Sequence, residues 1–388
     1  MHYDFDRPID RKGTDSIKWG KYPKDVLPLW VADTDFQSPP GVLEALHGRV
    51  DHGVFGYGAD VRVLTNLLVG RLEQLYGWKV GPEDILFLPG VVQGFNLACL
   101  AFARENERVL VQSPVYPLLL KAPYETGREC REVGFIRDTH GKYSVDWEAF
   151  AAAVSDAAKL FILCNPQNPL GRVFTQSELQ RMAEACLRQG TVICSDEIHC
   201  DLVYEGHRHI PIASLAPEIA KRTVTLMAPS KTFNLAGLQC SFAVIQDETL
   251  RRQFISASRG LLSHPNLLGC TAAVAAYESG QGWLEELLSY LKLNRDTLVA
   301  FVAEHMPGVR VTAPEGTYLA WLDCTAAAEL NRPYSFFLKQ ARVALSDGIA
   351  FGAAGEGHVR VNFGCRRALL LEALERMKNA LDQARHST

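Results

Sequence analysis

The sequence predicts an α/β fold with a mostly parallel central sheet that is covered on both faces by helices. From about residue 85, short runs of strand-forming residues alternate with helical stretches. The strand-like runs are apolar throughout and lack strict polar alternation, as expected for strands buried on both faces. At 388 residues the chain is also too long for one simple core. We therefore expect two domains.

The predicted elements divide between these two domains. The candidate strands of the central sheet cover residues 85–89, 108–112, 159–164, 191–195, 222–227 and 241–245. Apolar residues then recur at helical spacing between positions 284 and 302, which predicts a long amphipathic helix that leads into a terminal domain.

Strand-like segments and one more helix follow the long helix. The segments cover residues 309–312, 317–322 and 359–363, and a closing helix covers about 367–384. The first 45 residues, rich in Pro and Asp, look irregular and could join these elements. We therefore expect a large domain over residues 46–285 and a small α/β domain built from residues 1–45 and 286–388.

Composition excludes several classes of function. The chain is 47% hydrophobic and 22% charged, with a net charge of −4, so it offers no electrostatic basis for binding nucleic acid or an anionic membrane. It has no apolar run of 18 residues, and its first six residues are too polar for a signal peptide. We expect a cytoplasmic protein with no membrane or nucleic-acid partner.

The ten cysteines include no Cys-x-x-Cys pair. Several of them, such as Cys164 and Cys194, lie inside apolar strand-like runs. We interpret them as small buried residues in a reducing compartment, and we expect no metal site.

Residues suited to binding a ligand follow the predicted strands, and ligands of open α/β sheets bind beyond the carboxyl ends of strands. The turn at 90–94 opens a helix whose free N–H groups could hold a phosphate, although it could also be an ordinary βα turn. Tyr116 lies on a turn bracketed by prolines and could stack on a flat ring, or simply pack. Asn168 stands in a run with two Asn-Pro dipeptides and could donate its amide to a phenolate oxygen.

Two charged residues complete this series. Asp196 follows the strand 191–195 and could pair with a protonated pyridine nitrogen, or cap a helix. Lys231 follows the strand 222–227; it could be a solvated loop lysine, or a desolvated lysine that forms a Schiff base with an aldehyde. Together the five strand ends match a phosphorylated, hydroxylated pyridine aldehyde. Pyridoxal 5′-phosphate (PLP) has all of these groups and is the predicted cofactor.

With these motifs in place, the sequence resembles the fold-type I PLP enzymes of the class I/II aminotransferase superfamily over nearly the whole chain. Four runs look like those of the cystathionine β-lyase group, the MalY/PatB-like C–S lyases. These runs are Pro28-Leu-Trp-Val-Ala-Asp-Thr-Asp-Phe36, Ser195-Asp-Glu-Ile-His199, Ala228-Pro-Ser-Lys-Thr-Phe-Asn-Leu-Ala-Gly237 and Pro314-Glu-Gly-Thr-Tyr-Leu-Ala-Trp-Leu-Asp323.

The resemblance implies a role for each candidate residue. Lys231 would bind the cofactor aldehyde and Asp196 its pyridine nitrogen, while Asn168 would bind the ring hydroxyl oxygen. Tyr116 would stack on the ring and assist the leaving sulfur. The remaining contacts implied are the phosphate ligands Val91, Val92, Gln93 and Ser230, the cofactor-site residue His199, and Arg360 as the bidentate partner of the substrate α-carboxylate.

Tyr57, in the run Phe55-Gly-Tyr-Gly58, matches a tyrosine that reaches the phosphate of the neighbouring subunit. The resemblance therefore implies a homodimer with shared active sites. The sequence departs from many aminotransferases in having Gln239 where they place an arginine, Ala228 where they often carry serine, and His199 where many have tyrosine. The first two departures favour the lyase group, which also has the histidine.

The leading functional hypothesis is β-elimination from an L-cysteine S-conjugate such as L-cystathionine, which yields pyruvate, ammonia and a thiol. Lys231 would take the Cα proton. The alternative enzyme is an aminotransferase acting on an L-amino acid with the same lysine. A third hypothesis is a regulatory or binding role, but the chain has no helix-turn-helix or basic patch to support it, and it retains both Lys231 and Asp196.

Overall fold

The strands and helices are given by a computed structural model that describes residues 3–58, 61–139, 141–262, 265–327 and 329–386. In this part of the chain the strands are β1 (Leu27–Pro28), β2 (Ile85–Leu88), β3 (Arg108–Ser113), β4 (Glu129–Arg137), β5 (Tyr143–Val145), β6 (Ala158–Cys164), β7 (Val192–Asp196), β8 (Thr223–Met227), β9 (Ser241–Val244), β10 (Arg310–Val311), β11 (Leu319–Asp323), β12 (Val343–Ala344), β13 (Ser346–Asp347) and β14 (His358–Asn362). The α-helices are α1 (Ile17–Gly20), α2 (Pro40–Asp51), α3 (Arg62–Tyr76), α4 (Val91–Phe102), α5 (Pro117–Glu125), α6 (Trp147–Ser155), α7 (Gln176–Gln189), α8 (Pro217–Ala220), α9 (Glu248–Ser258), α10 (Leu267–Ser279), α11 (Gln281–His305), α12 (Pro333–Phe336) and α13 (Arg367–His386).

Eight of the strands in the described part of the chain form the central sheet, in the order β2-β9-β8-β7-β6-β3-β4-β5. The pairs from β8 to β4 are parallel, so the predicted α/β class with a mostly parallel sheet is confirmed. Each of the six predicted strands begins and ends within one residue of its predicted bounds. The five strand ends that carry the candidate residues therefore point to the same edge of the sheet.

Two features of this sheet were not predicted. Strand β9 runs antiparallel to both neighbours, β2 and β8. Residues 228–240 link β8 to β9 and contain a 3₁₀ turn but no α-helix, whereas a parallel return usually crosses over through a helix. The sheet also continues into β4 and β5, whose side chains are largely exposed at the sheet edge and lack the apolar pattern of the buried strands.

Helices cover both faces of the central sheet because its strands alternate between two cores. On β3, Val109 and Val111 pack with α4, α5 and α9, while Leu110 between them packs with α6 and α7. This is the two-residue period of a strand with apolar neighbours on each side. The sheet is therefore held in the middle of a three-layer structure that fixes the positions of its strand ends.

A second sheet, β10-β11-β14-β13, is antiparallel and packs with α11 and α13. Strand β1 near the N-terminus pairs in parallel with β12, so the two ends of the chain meet in this part of the molecule. We propose the division expected from the sequence, with residues 46–285 in the large domain and residues 1–45 and 286–388 in the small one. Its two inner boundaries fall inside helices, α2 and α11.

The described part of the chain has no helix that is both long and apolar enough to cross a membrane. All ten cysteines are free thiols, and eight of them are buried. Among the described residues there is no group of three or more His, Cys, Asp or Glu side chains placed to hold a metal ion.

Candidate active site

A cavity of about 180 Å³ lies at the carboxyl ends of the central strands. It is enclosed by the ends of β2, β6, β7 and β8 and by the loops that follow them. Its lining residues are Ala32, Pro89, Gly90, Val91, Val92, Phe95, Tyr116, Cys164, Asn168, Asp196, Ile198, His199, Ala228, Ser230, Lys231, Ala236, Gln239, Cys240 and Ser241.

Asp196 is the last residue of β7 and is buried at one wall of this cavity. Burial raises the pKa of its carboxyl to about 7, although the N–H of Ile198, which donates to Asp196 Oδ1 over 3.1 Å, and the charge of Lys231 act in the opposite direction. A buried carboxyl of this kind gains a favourable ion pair when a protonated ring nitrogen is placed beside it. Asp196 is therefore chemically suited to the pyridinium of PLP.

His199 lies one turn of chain beyond Asp196 and is also buried. Burial lowers the pKa of its imidazole well below the usual value, and the charges of Lys231 and Arg360 lower it further. Its Nδ1 atom has no hydrogen-bond partner among the described residues, and its ring meets the edge of Tyr318 at 5.9 Å between centroids. A neutral imidazole with a free nitrogen in a cavity wall is available to a bound ring or its substituents.

Lys231 is held in the loop that follows β8, with its Nζ atom donating to the carbonyl oxygen of Ala32 over 2.7 Å. Burial lowers the pKa of this amine to about 8; Asp33 and Asp196 counteract the shift, and Arg360 adds to it. A lysine with a lowered pKa is nucleophilic near neutral pH. Lys231 thus has the property that a covalent bond to an aldehyde requires.

Arg360 lies on β14 of the second sheet, next to the cavity wall, and is almost fully buried. Its guanidinium donates to Asn168 Oδ1 over 2.9 Å, to the carbonyl of Trp30 over 2.8 Å and to Ser346 Oγ over 3.1 Å. Its Nε has no hydrogen-bond partner in the described structure, and the ring of Phe351 lies 4.9 Å from Cζ. Burial lowers the pKa of Arg360 to about 10, so it remains a cation at neutral pH and can receive a carboxylate.

The segment from Trp30 to Thr34, called the carbonyl strip below, connects these two cations. Each of its carbonyls accepts a hydrogen bond from a side chain. The donors, in order along the strip, are Arg360 and Ser346 to Trp30, Asn362 to Val31, Lys231 and Tyr318 to Ala32, Asn362 and Lys18 to Asp33, and Arg11 and Asn234 to Thr34. The carbonyl strip therefore fixes Lys231, which follows a strand of the central sheet, relative to Arg360 on the second sheet.

The end of the cavity at the N-terminus of α4 is suited to a phosphate. Gly90 precedes the first residue of α4, and the first N–H groups of a helix have no intrahelical acceptor. Val91, Val92 and Ser230 line this end together with Gly90, and among the described residues Lys231 is the one lysine or arginine that lines the cavity. The donors are thus backbone and hydroxyl groups with the helix dipole, which fit a phosphate dianion. Together with Asp196 and Lys231, this donor set fits PLP.

The structure brings most of the predicted site residues together. Val91, Val92, Tyr116, Asn168, Asp196, His199, Ser230 and Lys231 all line the cavity, and Arg360 reaches it through Asn168. Gln93 does not line it, because its side chain is exposed and lies against Gly90 outside; only its backbone N–H belongs to the helix N-terminus. Tyr57 is fully exposed on an extended segment away from the cavity.

Sequence reasoning missed several contributors to the site. The main one is the carbonyl strip, whose run was noticed only as a family motif. Asn362 and Tyr318 were also missed as its donors, although Tyr318 lies inside a quoted motif and Asn362 inside the predicted strand 359–363. Main-chain acceptors leave no residue-type signal, because any side chain can accompany a carbonyl group. The density of motif residues around positions 28–36 was the only available signal.

Comparison with known proteins places this chain in a family. The model of the family described as aminotransferase class I and II matches residues 31–377. The cystathionine beta-lyase PatB of Bacillus subtilis is 41% identical, over 97% of this chain and 99% of that protein. The cystathionine beta-lyase of Corynebacterium glutamicum is 35% identical, over 95% and 98% of the two chains.

Solved structures agree with this assignment. A PLP-bound putative aminotransferase from Clostridium difficile superposes with a TM-score of 0.95 at 36% identity, over 98% of this chain and all of the other. This chain thus belongs to the class I and II aminotransferase family. Within it, the chain is similar to cystathionine beta-lyases over nearly its full length, as the sequence motifs predicted.

Proposed function

We propose that this chain is a PLP-dependent carbon–sulfur lyase that cleaves L-cystathionine or a related L-cysteine S-conjugate to pyruvate, ammonia and a thiol. The observation that carries the proposal is the convergence of Lys231, Asp196 and Arg360 on one cavity in a chain that is 35–41% identical to named cystathionine beta-lyases. The departures Gln239 and Ala228 from the usual aminotransferase pattern support the same choice.

The residues that would hold PLP are those that line the cavity, together with the backbone N–H of Gln93 at the N-terminus of α4. Asp196 would pair with the ring nitrogen, Asn168 would donate to the ring hydroxyl oxygen and Tyr116 would stack on the ring. His199 would lie against the ring and its substituents, and the phosphate would lie at Val91, Val92, Gln93 and Ser230. When bound, PLP supplies an aldehyde that condenses with amines and a pyridinium ring that withdraws electrons from the bonds at Cα.

Each of the chain's reactive groups then has one task. Arg360 binds the substrate α-carboxylate and orients the amino acid, since its guanidinium offers two parallel donors. Lys231 takes the Cα proton, because a neutral amine with a pKa of about 8 is a competent base near neutral pH. Burial, together with the charge of Asp196, raises the pKa of Tyr116, so its hydroxyl keeps its proton and can donate it to the departing sulfur.

The chain is proposed to act as a homodimer with shared active sites. Val54, Phe55 and Tyr57 are exposed close together in the segment between α2 and α3, and neighbouring exposed apolar residues are typical of a protein interface. In the proposed dimer this segment, called the arm below, places Tyr57 at the phosphate of the partner subunit. The proposed location is the cytoplasm, supported by the ten free thiols.

The testing experiment is pyruvate release from L-cystathionine by purified protein, with the visible absorption spectrum recorded first. We expect a cofactor band and pyruvate in stoichiometric amount with the cleaved substrate. The same band without pyruvate, but with formation of pyridoxamine phosphate that a keto acid reverses, would instead assign the chain to the aminotransferases. Absence of any band after PLP is added would overturn the cofactor assignment.

A further inference from the structure

The segment from Ser195 to Asp201 presents alternate faces to two environments. Asp196 and His199 line the cavity, whereas Glu197 points to the other side. There the Glu197 carboxylate accepts from Ser195 Oγ over 2.8 Å and lies 2.7 Å from His209 Nε2. The segment that carries Asp196 and His199 is thus held by the carboxylate of Glu197 on the side that faces away from the cavity.

Asp201, at the end of this segment, joins two further elements. Its Oδ1 accepts from Arg71 on α3 over 2.6 Å, and its Oδ2 accepts from the hydroxyl of Thr232 over 3.0 Å. The Asp201 carboxylate is 6% exposed, and Thr232 is fully buried. Hydrogen bonds to a buried carboxylate are charge-assisted and stronger than neutral ones.

Thr232 is the residue directly after Lys231. The lysine side chain spans the distance from this loop to the carbonyl of Ala32, so its Nζ position depends on where the loop places Cα. Backbone hydrogen bonds from Phe233 to Pro229 and from Leu235 to Ser230 close the loop on itself. The Thr232 hydroxyl instead ties the loop to the segment that carries Asp196, the other group that the chemistry requires.

We propose that Thr232 and Asp201 are positioning residues that fix Lys231 relative to Asp196, with Arg71 neutralising the carboxylate from the α3 side. This inference rests on the proposed function, in which Lys231 is the reactive amine. The charged groups that face Lys231 itself are Asp33, Asp196 and Arg360, and the proposed link leaves all three unchanged. Loss of the hydrogen bond between Thr232 and Asp201 therefore changes the position and the solvation of the Lys231 amine, and not the charges around it.

The test compares Thr232→Val, which keeps the shape but removes the hydroxyl, with Thr232→Ser, which keeps the hydroxyl. In the PLP-free chain, acetylation of Lys231 is followed against pH by peptide mass mapping. Because the amine becomes better solvated once the loop loosens, we expect Thr232→Val to raise the pH of half-maximal reaction by roughly one unit. Thr232→Ser should restore the parent value.

The same variants are then loaded with PLP. We expect Thr232→Val to shift the pH titration of the visible band and to lower kcat roughly 10-fold with little change in KM, because a misplaced reactive group slows chemistry more than it weakens binding. Thr297→Val is the matched control, since its hydroxyl bonds only to its own helix at Leu293. It should match the parent in every measurement.

Identical acetylation and spectral titrations for Thr232→Val and the parent would overturn the inference, as would Thr232→Ser being as defective as Thr232→Val. If Thr232→Val does not fold, Asp201→Asn decides. Asparagine keeps an acceptor for the Thr232 hydroxyl but loses the charge. It should therefore shift the acetylation titration and the titration of the visible band in the same direction as expected for Thr232→Val, but by a smaller amount. If Asp201→Asn shifts neither titration, the inference is overturned. A parent chain that binds no PLP would reject the proposed function, while the acetylation of Lys231 would still test its placement separately.

Discussion

At the scale of single residues, burial lowers the pKa of both Lys231 and Arg360, yet it leaves the two groups suited to different uses. The amine of Lys231 has a pKa of about 8 and can change charge near neutral pH. Arg360, with a pKa of about 10, cannot. One is therefore suited to moving a proton and the other to holding an anion.

Replacement of Lys231 by alanine should abolish pyruvate release from L-cystathionine, because among the described residues that line the cavity it is the one amine that can bind the cofactor aldehyde and then take the Cα proton. The visible band of bound PLP should also change, since the covalent bond to the chain is lost. Lys221→Ala, on the exposed loop before β8, is the control and should retain full activity. Substantial lyase activity in Lys231→Ala would reject the assigned role.

Arg360→Lys should lower kcat/KM for L-cystathionine by about 10- to 150-fold, the equivalent of one charge-assisted hydrogen bond of about 1.5–3 kcal/mol. The lysine keeps the charge but cannot form the bidentate pair with a carboxylate. Steady-state kinetics measures the change, and Arg310→Lys on the exposed strand β10 serves as the control. A loss of the same size in both variants would contradict the role of Arg360 in binding the carboxylate.

The PLP-free chain should become more stable when Asp196 is replaced by asparagine, and this gain should depend on pH. The carboxyl ionises near pH 3.8 when unfolded but near pH 7 when folded, so the folded chain loses stability as the pH rises through this window. Asparagine removes a loss of at most about 4 kcal/mol. Urea unfolding at pH 5, 7 and 8 measures the gain, which should grow up to pH 7 and then level off.

Bound PLP should make the parent more stable than Asp196→Asn, because the ionised Asp196 then has a cationic partner. A gain in the PLP-free variant that is the same at all three pH values would show that the carboxyl of Asp196 is not the group that titrates.

At the scale of elements, helix α4 is held unusually close to the central sheet. A Cβ atom on Gly94 would lie 2.7 Å from a methyl of the fully buried Leu226 on β8. We expect Gly94→Ala to destabilise the chain by about 1–2 kcal/mol in urea unfolding. It should also weaken PLP binding, because the N-terminus of α4 forms the phosphate end of the cavity.

Gly70 on α3 provides the control for this prediction. It lies in the middle of a helix with open space around it, so Gly70→Ala should raise stability by about 0.5–1 kcal/mol. If Gly94→Ala were equally stabilising, the close approach of α4 to β8 would not constrain the position of the phosphate site.

The sequence was most informative where an apolar strand ends in a polar residue. The bounds of strands β7 and β8, which precede the candidate residues Asp196 and Lys231, could be predicted because both strands are buried apolar runs. It was least informative where the structure depends on long connections or on main-chain atoms. The direction of β9 depends on the path of the connection over residues 228–240, and the exposed strand β4 lacks the apolar pattern of a buried one.

The hydrogen bonds of Arg360 are a second example of structure that the sequence pattern could not predict. Arg360 was identified from its motif, but its bonds to Asn168 and to the carbonyl of Trp30 join residues that lie 192 and 330 positions away in sequence. Such contacts follow from the packing of elements that are far apart in the sequence, and a residue pattern read along the chain contains no information about them.

At the scale of the whole molecule, the proposed role of the arm can be tested with mixed dimers. Tyr57→Ala and Lys231→Ala chains should each be inactive or nearly so, but a mixture that has exchanged subunits should regain about a quarter of the parent activity, because half of the dimers are hybrids with one intact site each. Pyruvate release after mixing measures it. No recovery in hybrids confirmed by native mass spectrometry would reject shared active sites.

The carbonyl strip also has a consequence for how the enzyme is made. A ribosome synthesises residues 30–34 early, but the strip needs Arg360 and Asn362, which follow some 330 residues later. At 5–20 residues per second, that interval is roughly 15 s or longer. The nascent chain can complete the central sheet during this time, but it cannot complete a working active site until nearly all of it has left the exit tunnel. Catalytic competence is therefore acquired in one late event at the end of translation.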